Sequence, residues 1–293
     1  MKVGLVLAGG GSRGAYQIGV WKALSELNID KYIEVVSGTS IGALNAMLFL
    51  QGNLNLAEEI WCSLTKEEIL PLEEKDLIVK GILFFLGAKN MSFIKKYIPT
   101  VVKGETLSRE GLNDILKKVD FKKIKNSKIK GFATCTSIPE IKAQYFNINE
   151  YSEEIIKQIL YATSAVPLIY DSPIIDNISY LDGGIVDNVP IQPVYGEHCD
   201  IIIVVQLSAD SHINTEMYPN TNIIQINSEE GEGADLKGMM DFNTDVIRKR
   251  ISKGYKDTIY KIKPIMDLTR NIDKDKAISK LSLLDSIKTI FNR

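Results

Sequence analysis

The chain has 293 residues, of which 45% are hydrophobic and 25% charged, and its 35 basic and 37 acidic side chains leave a formal net charge of −2. This composition excludes disorder and collagen-like order. The near-zero charge removes any general attraction to nucleic acid, so no nucleic acid partner is expected. Three scattered cysteines show neither metal-ligand spacing nor a disulfide framework. We therefore expect a reducing compartment, the cytoplasm, and neither a metal nor another cofactor.

Predicted strands and helices alternate along the chain, which predicts an α/β fold with a mostly parallel sheet. The apolar run 2–8 predicts a strand buried on both faces, and helix 15–27 follows a glycine-rich stretch. Strand 32–40 leads into an apolar helix, 41–51. The later predicted elements are helices 55–64 and 106–119, strands 129–137 and 142–148, helix 152–166, strands 178–184, 199–208 and 222–227, and helices 242–263 and 274–291.

The first apolar run carries one lysine, as a signal peptide would, but glycines interrupt it after Ala8 and no longer apolar segment follows. We interpret it as the first strand, with no signal peptide, while export by a route without a cleaved signal stays open. No stretch of the sequence reaches the roughly 18 apolar residues that a membrane-spanning helix needs.

The stretch "SGTSIGALN" contains the pattern G-x-S-x-G between a predicted strand and a predicted helix. In that context the pattern is typical of a nucleophile elbow, a sharp turn that exposes a serine hydroxyl. The elbow consists of Gly38, Thr39, Ser40, Ile41 and Gly42. Ser40 would begin a helix, whose dipole favours negative charge there, and the two glycines would let strand and helix approach. A plain Gly/Ser helix cap is the alternative.

A serine nucleophile needs a base, and the chain offers two histidines and an aspartate for this role. His198 precedes a predicted strand and His212 lies in a polar loop. Either could complete a Ser–Asp–His triad, but neither ends a strand beside an acid. Asp182 ends a predicted strand before Gly183 and Gly184, which indicates a tight backbone around its carboxylate. A simple Asp-Gly turn explains the same pattern, so both interpretations stay open.

The glycine-rich loop after the first strand resembles two kinds of anion site. It consists of Gly9, Gly10, Gly11, Ser12, Arg13 and Gly14. The spacing G-x-G-x-x-G fits a dinucleotide-binding turn, but the acid expected at the end of the second strand is replaced by the serine elbow. The same turn suits the oxyanion of a tetrahedral intermediate, with N–H groups of Gly10 and Gly11 as donors. For Arg13 three roles stay open: holding the loop, binding a lipid phosphate, or forming a salt bridge on the helix.

Three blocks in order, "GGGSRG", "GTSIG" and "DGG", resemble the signature motifs of the patatin-like phospholipase family. The stretches "YATSAVP", 161–167, and "VDNVP", 186–190, are similar to segments that the family carries around its aspartate. The resemblance runs from residue 2 to about 208, and more loosely through 242–258. It implies a three-layer α/β/α sandwich and hydrolysis of acyl esters in lipids by a Ser–Asp dyad without histidine. Matched by position, Ser40 is the implied nucleophile and Asp182 its partner.

The predicted domain organisation is a patatin-like catalytic domain, 1–208, followed by a C-terminal strand and helices, 209–293, packed on the same domain. Within the first part, 66–108 is predicted to be a variable helical lid or insert, because it matches no family segment. Its residues 77–101 interleave apolar side chains with lysines, which fits either contact with a membrane surface or a helix pair packed on the core. The basic stretch 117–130 fits headgroup contact or a solvated helix end.

The leading hypothesis is therefore a lipid acyl hydrolase that binds a lipid or acyl-ester substrate. An acyltransferase that uses the same acyl-enzyme is the first alternative. A nucleotide-binding module is another, and it predicts binding of NAD or ATP that survives Ser40→Ala. A catalytically idle binding protein is the last, and the intact Ser40, Asp182 and glycine-rich loop count against it.

Overall fold

A computed structural model of the chain describes residues 1–64, 109–167, 169–208, 213–227 and 236–275. The predicted lid, 66–108, lies outside these residues, as does nearly all of the predicted helix 274–291. Eight strands of the described chain form one sheet. They are β1 (Val3–Leu7), β2 (Ile33–Thr39), β3 (Lys130–Ile138), β4 (Lys142–Asn147), β5 (Ile174–Ile175), β6 (Ile178–Asp182), β7 (Ile201–Gln206) and β8 (Asn222–Asn227).

The sheet is mostly parallel, as predicted. Its strand order is β5-β6-β3-β2-β1-β7-β8, and β4 pairs with β3 beside this path. Strands β3, β2, β1, β7 and β8 run parallel. Strands β4 and β6 pair antiparallel with β3, and β5 pairs antiparallel with β6. Leu7 pairs with Gly38 and Gly38 with Ala133, so the carboxyl ends of β1 and β2 meet at one edge. Ligand sites of open α/β sheets lie at this edge.

Helices cover both faces of the sheet, which gives the predicted three-layer α/β/α sandwich. In the described chain they are α1 (Ala15–Glu26), α2 (Ile41–Gln51), α3 (Leu54–Ser63), α4 (Glu110–Lys117), α5 (Phe121–Lys125), α6 (Glu153–Thr163), α7 (Ile191–Tyr195), α8 (Leu236–Met239) and α9 (Thr244–Asp275). The larger core lies on the face covered by α1, α2, α6 and α9. A smaller one, with Ile191 and Val194 of α7, lies on the other face.

Helices α1 and α9 cross with their backbones in contact. A Cβ atom at Gly19 would lie 1.9 Å from the Ile251 carbonyl oxygen, and one at Gly254 would lie 2.0 Å from the Tyr16 carbonyl oxygen. Only glycine fits at these two positions, because any side chain would push the helices apart. The Tyr16 hydroxyl also donates to Asp257 Oδ2 at 2.8 Å. This close crossing fixes α1, and with it the glycine-rich loop that leads into α1.

Two helices differ from their predictions for the same physical reason, which is packing against a distant partner. The sequence predicts one apolar face for α1, yet Gln17 and Gly19, off that face, are also buried. Gly19 is buried against α9, and Gln17 is buried where its side chain bonds the Ala8 carbonyl and Asn45 of α2. The sequence also predicts that the last described helix stops at residue 263, whereas it continues past Pro264 to Asp275. Buried Ile262 and Ile265 hold the helix against the core on both sides of that proline.

No helix among the described residues combines the length and the apolar character that crossing a membrane requires. Strand β8 and helices α8 and α9 follow residue 208, and the division of the chain at that point stays a prediction.

Candidate active site

Ser40 occupies a sharp turn between β2 and α2. Its backbone is left-handed, with φ 55° and ψ −124°, and its carbonyl accepts the first hydrogen bond of α2 from Ala43 N–H at 2.9 Å. A Cβ atom at Gly38 would lie 2.2 Å from the Gly42 carbonyl oxygen, and one at Gly42 would lie 2.1 Å from the Leu7 carbonyl oxygen. Both glycines of the motif are therefore required by close backbone approach, and the strained serine between them is presented on a strand–turn–helix elbow.

The backbone N–H of Ser40 donates to Thr163 Oγ1 at 2.9 Å. The Thr163 hydroxyl in turn donates to the Thr134 carbonyl oxygen on β3. A short chain of hydrogen bonds thus fixes the elbow to α6 and to the neighbouring strand. Thr163 lies in the "YATSAVP" stretch that carries part of the family resemblance, which was the sequence signal for this contact.

Asp182 is the last residue of β6 and is 1% exposed. It pairs with Cys135 of β3, the neighbour of β2, and β2 ends immediately before Ser40. Its Oδ1 accepts from the Gly184 N–H at 2.8 Å, and its backbone carbonyl accepts from the Thr136 hydroxyl at 2.9 Å. The carboxylate is therefore held in a fixed orientation at the edge of the sheet.

Burial raises the pKa of Asp182 from 3.8 to about 7, and the Ser40 hydroxyl, the Gly184 N–H and the charge of Arg109 oppose this rise. The Ser40 hydroxyl is close enough to act on the carboxyl, yet it does not reach hydrogen-bonding geometry. Oδ2 of Asp182 is buried and has no hydrogen-bond partner. A buried carboxylate oxygen without a partner is costly, which favours the protonated form of this carboxyl. A neighbouring glycine is also required, because a Cβ atom at Gly183 would lie 2.2 Å from the Thr134 carbonyl oxygen.

The glycine-rich loop, residues 9–14, lies directly against the serine elbow. A Cβ atom at Gly9 would lie 3.4 Å from Ser40 Cβ and 2.5 Å from Asn188 Oδ1. The Gly9 N–H donates to the Asn188 carbonyl at 3.2 Å, and Asn188 Nδ2 donates back to the Gly9 carbonyl at 3.3 Å. Gly11 has φ 58°, a conformation that favours glycine. Within the part of the chain that the structure describes, no acceptor takes the N–H groups of Gly10 and Gly11.

Arg13 donates from Nε to the Gly10 carbonyl oxygen at 3.3 Å. The contact agrees with the first of the three predicted roles, holding the loop. The roles in binding a lipid phosphate and in forming a salt bridge stay predictions.

A buried polar network fixes the two ends of the glycine-rich loop, and sequence reasoning missed it. Gln17 Nε2 donates to the Ala8 carbonyl at 2.7 Å, and Asn45 Nδ2 donates to the Gly14 carbonyl at 3.0 Å. Asn45 Nδ2 also donates to Gln17 Oε1 at 2.7 Å, and Asn45 Oδ1 accepts from Trp61 Nε1 at 2.8 Å. The signal for this network was one asparagine inside the otherwise apolar helix 41–51.

Arg109 is a cationic group whose charge lowers the pKa of Asp182. Its guanidinium forms an ion pair with Asp171 at 3.2 Å, donates to the Tyr161 carbonyl at 2.9 Å, and lies 4.7 Å from the centre of the Tyr170 ring. Sequence reasoning did not select this residue, because none of its contacts lies near it along the chain.

His198 lies far from the serine elbow. It is exposed, three residues before β7, at the edge of the sheet where the parallel strands begin. Because β1 and β7 pair along five residues, about 16 Å of strand separates that edge from the one that carries Ser40. His212, the other predicted histidine, lies outside the described residues.

A strained serine elbow, a buried carboxyl and a glycine-rich loop lie together at one edge of an α/β sandwich, and these are the parts that a serine-hydrolase type of site requires. Comparison with known families gives the particular one. The family model of patatin-like phospholipases matches residues 5–195, which is more than half of the chain. The chain belongs to the patatin-like phospholipase family, and the family predicted from the three motifs is confirmed.

Several curated proteins are similar to this chain. Lysophospholipase nte1 of Aspergillus terreus is 26% identical over 236 residues, which are 80% of this chain and 13% of that protein. Lysophospholipase NTE1 of Kluyveromyces lactis is 26% identical over 210 residues, 71% of this chain and 13% of that protein. An uncharacterized NTE family protein of Mycobacterium bovis is 27% identical over 71% of this chain and 49% of its own length. The chain therefore spans only a small part of the fungal relatives.

Two solved structures are also similar. VipD from Legionella pneumophila has a TM-score of 0.48 at 15% identity, over 90% of this chain and 67% of its own. The type III effector protein ExoU has a TM-score of 0.45 at 15% identity, over 90% of this chain and 53% of its own.

Proposed function

We propose that the chain is a lipid acyl hydrolase, of the phospholipase A or lysophospholipase type, in which Ser40 and Asp182 act as a dyad through an acyl-enzyme. The observation that carries the proposal is the buried Asp182 carboxyl, with Oδ1 held by the Gly184 N–H and Oδ2 unpartnered beside Ser40. Family membership and the lysophospholipase names of the relatives support a lipid ester as the substrate.

In the proposed first half-reaction, Ser40 Oγ attacks the ester carbonyl carbon and its proton passes to Asp182. A free aspartate is too weak a base for this step, but a pKa near 7 brings the carboxyl close to the operating pH. The carbonyl oxygen becomes an oxyanion, and the amides of Gly10 and Gly11 donate to it. One such donor stabilises the transition state by about 3 kcal/mol. The intermediate collapses, the alcohol leaves with the proton from Asp182, and acyl-Ser40 remains.

In the proposed second half-reaction, a water molecule attacks the acyl carbon and gives a proton to Asp182. Collapse of the second intermediate breaks the bond to Ser40 Oγ, which takes that proton back. The products are a free fatty acid and the starting enzyme. An alcohol in place of water would give a new ester, which is the acyltransferase alternative.

The test is labelling with a fluorophosphonate, followed by mapping of the modified residue. We expect the label on Ser40, its loss in Ser40→Ala, and its retention in the control Ser164→Ala, whose hydroxyl donates to the Leu160 carbonyl. Lysophosphatidylcholine micelles, diacyl vesicles and a short nitrophenyl ester, each with and without an added alcohol, then separate substrate classes and acceptors. Hydrolysis at the wild-type rate by folded Ser40→Ala would refute the proposal.

The proposal also assigns the protein to the cytoplasm, with peripheral contact to a membrane that supplies the lipid. The cytoplasmic compartment is supported by the three cysteines, Cys62, Cys135 and Cys199, which are all free thiols. Sedimentation of the protein with phospholipid vesicles tests the membrane contact, and cell fractionation tests the compartment.

A further inference from the structure

The side chain of Arg250, in the first turns of α9, contacts the glycine-rich loop and the segment that precedes α9. Its Nη1 donates to Ser12 Oγ at 2.7 Å and to the Asp241 carbonyl at 3.0 Å. Its Nη2 donates to the Gly238 carbonyl at 2.8 Å. One guanidinium therefore joins Ser12 of the glycine-rich loop to residues 238–241, which are distant from it in the sequence.

Ser12 closes this arrangement from the side of the loop. Its side chain is completely buried, and its hydroxyl donates to the Gly238 carbonyl at 2.9 Å while it accepts from Arg250. The neighbouring Gly11 is in contact with the same segment, since a Cβ atom there would lie 2.4 Å from the Met239 carbonyl oxygen. Residues 11 and 12 thus pack on residues 238–241, and Arg250 ties the two together.

Arg13 contacts the Gly10 carbonyl from within the loop, and three side chains from outside the loop hold its two ends. Asn188 binds Gly9, Gln17 binds the Ala8 carbonyl, and Asn45 binds the Gly14 carbonyl. These anchors lie within residues 5–195, the range that the family model matches. Arg250 comes from beyond that range and contacts Ser12 in the middle of the loop, next to Gly10 and Gly11.

We infer that Arg250, Ser12 and the Gly238 carbonyl form a latch that positions the amides of Gly10 and Gly11 for the oxyanion. Arg250 is a positioning residue in this inference, because it touches the loop and not the reacting atoms. The inference rests on the proposed function for its catalytic consequence. Its structural part, an ordered loop, does not depend on that function.

The chemistry of arginine explains why this residue serves as the latch. The planar guanidinium presents several N–H donors in a fixed fork, so it can bind Ser12, Gly238 and Asp241 at once. A lysine at the same place has one mobile ammonium group and would satisfy fewer of these acceptors. Replacement by glutamine removes the charge and most of the donors.

The experiment compares Arg250→Gln and Arg250→Lys with the control Arg248→Gln, an exposed arginine two residues earlier on the same helix. For a nitrophenyl ester we expect Arg250→Gln to lower kcat by about 10- to 100-fold at unchanged KM, because misplaced oxyanion donors weaken only the transition state. Arg250→Lys should recover part of the loss, and the control should match the wild type. The pH at which kcat is half-maximal should not move, since Asp182 is untouched.

Hydrogen–deuterium exchange supplies a readout that does not need activity. Amides of residues 9–14 should exchange faster in Arg250→Gln than in Arg248→Gln. Two kinetic results in a folded Arg250→Gln would overturn the inference: a wild-type kcat, or a loss of activity that comes only from a higher KM. Unchanged exchange of the amides in the loop would also overturn it. If Arg250→Gln does not fold, Ser12→Ala decides in its place by the same two readouts. Absence of Ser40-dependent hydrolysis in the wild type would instead remove the proposed function and leave the exchange comparison to test the latch.

Discussion

Replacing Asp182 by asparagine should make the folded protein more stable at alkaline pH while it destroys activity. Because folding raises the pKa of Asp182 from 3.8 to about 7, the folded protein keeps this proton at pH values where the unfolded chain has released it. The stability that this group contributes is full below pH 3.8 and is lost as the pH rises through about 7. One proton of difference changes the free energy of unfolding by about 1.4 kcal/mol per pH unit.

Between about pH 5 and about pH 8 the wild type should therefore lose about 2 to 3 kcal/mol that Asp182→Asn does not lose. The side chain is 1% exposed, so screening by water does not reduce this difference. Urea denaturation followed by circular dichroism at both pH values measures it. The quantity compared is the difference in unfolding free energy between the wild type and Asp182→Asn at the two pH values. Any effect of the new amide group that does not depend on pH cancels in this comparison.

The control is Asp176→Asn, the same chemical change in the exposed turn between β5 and β6. Its unfolding free energy, measured in the same way, gives the effect of this substitution at an exposed position. If the difference in unfolding free energy between the wild type and Asp182→Asn does not change with pH, the reasoning is refuted. The carboxyl of Asp182 would then have the same pKa in the folded and the unfolded chain. Asp182→Asn should also lower kcat/KM by about 10³-fold or more, since an amide cannot take the serine proton.

Three further predictions follow from the site. Wild-type kcat/KM should rise with pH and level off above about 7, because Asp182 must be ionised to accept a proton; a flat profile from pH 5 to 9 would contradict this. His198→Gln should keep activity within a few-fold, since this exposed residue lies at the opposite edge of the sheet, and a thousand-fold loss in the folded variant would restore the triad. Gly11→Val should lower kcat far more than it raises KM, because φ 58° and the Met239 carbonyl leave no room for a branched side chain; a change in KM alone would assign the loop to substrate binding.

The parts that could be predicted from the sequence are those in which neighbouring residues determine the structure. The strand–glycine–helix pattern around Gly38 and Ser40 places β2 and α2 within a residue of their observed bounds. Ser152 begins the predicted helix 152–166, and in the structure its side chain caps α6 by accepting from the Ile155 N–H. Short apolar runs bounded by turn residues give such elements because burial and turn chemistry agree there.

The contacts that sequence reasoning missed join residues that are distant along the chain. In the sequence, nothing distinguishes Arg250 and Arg109 from other charged residues of predicted helices. Only the fold brings Arg250 to Ser12 and Arg109 to Asp171. The short helix α7 was also missed, because it has only five residues and contains Pro193. A pattern in one segment carries no information on which surface will cover it, so these features depend on tertiary packing.

The crossing of α1 and α9 has a practical consequence for defining the catalytic unit. The family match ends at residue 195, yet Gly19 and Gly254 bring α9 into backbone contact with the helix that continues the glycine-rich loop. A fragment cut at the end of the match would expose the apolar side of α1 and leave strand β1 without its neighbour β7. We expect such a fragment to aggregate on expression, whereas one that runs to residue 275 keeps both contacts. When equivalent segments are excised from longer relatives, the boundary should be drawn from this helix crossing and not from the extent of motif similarity.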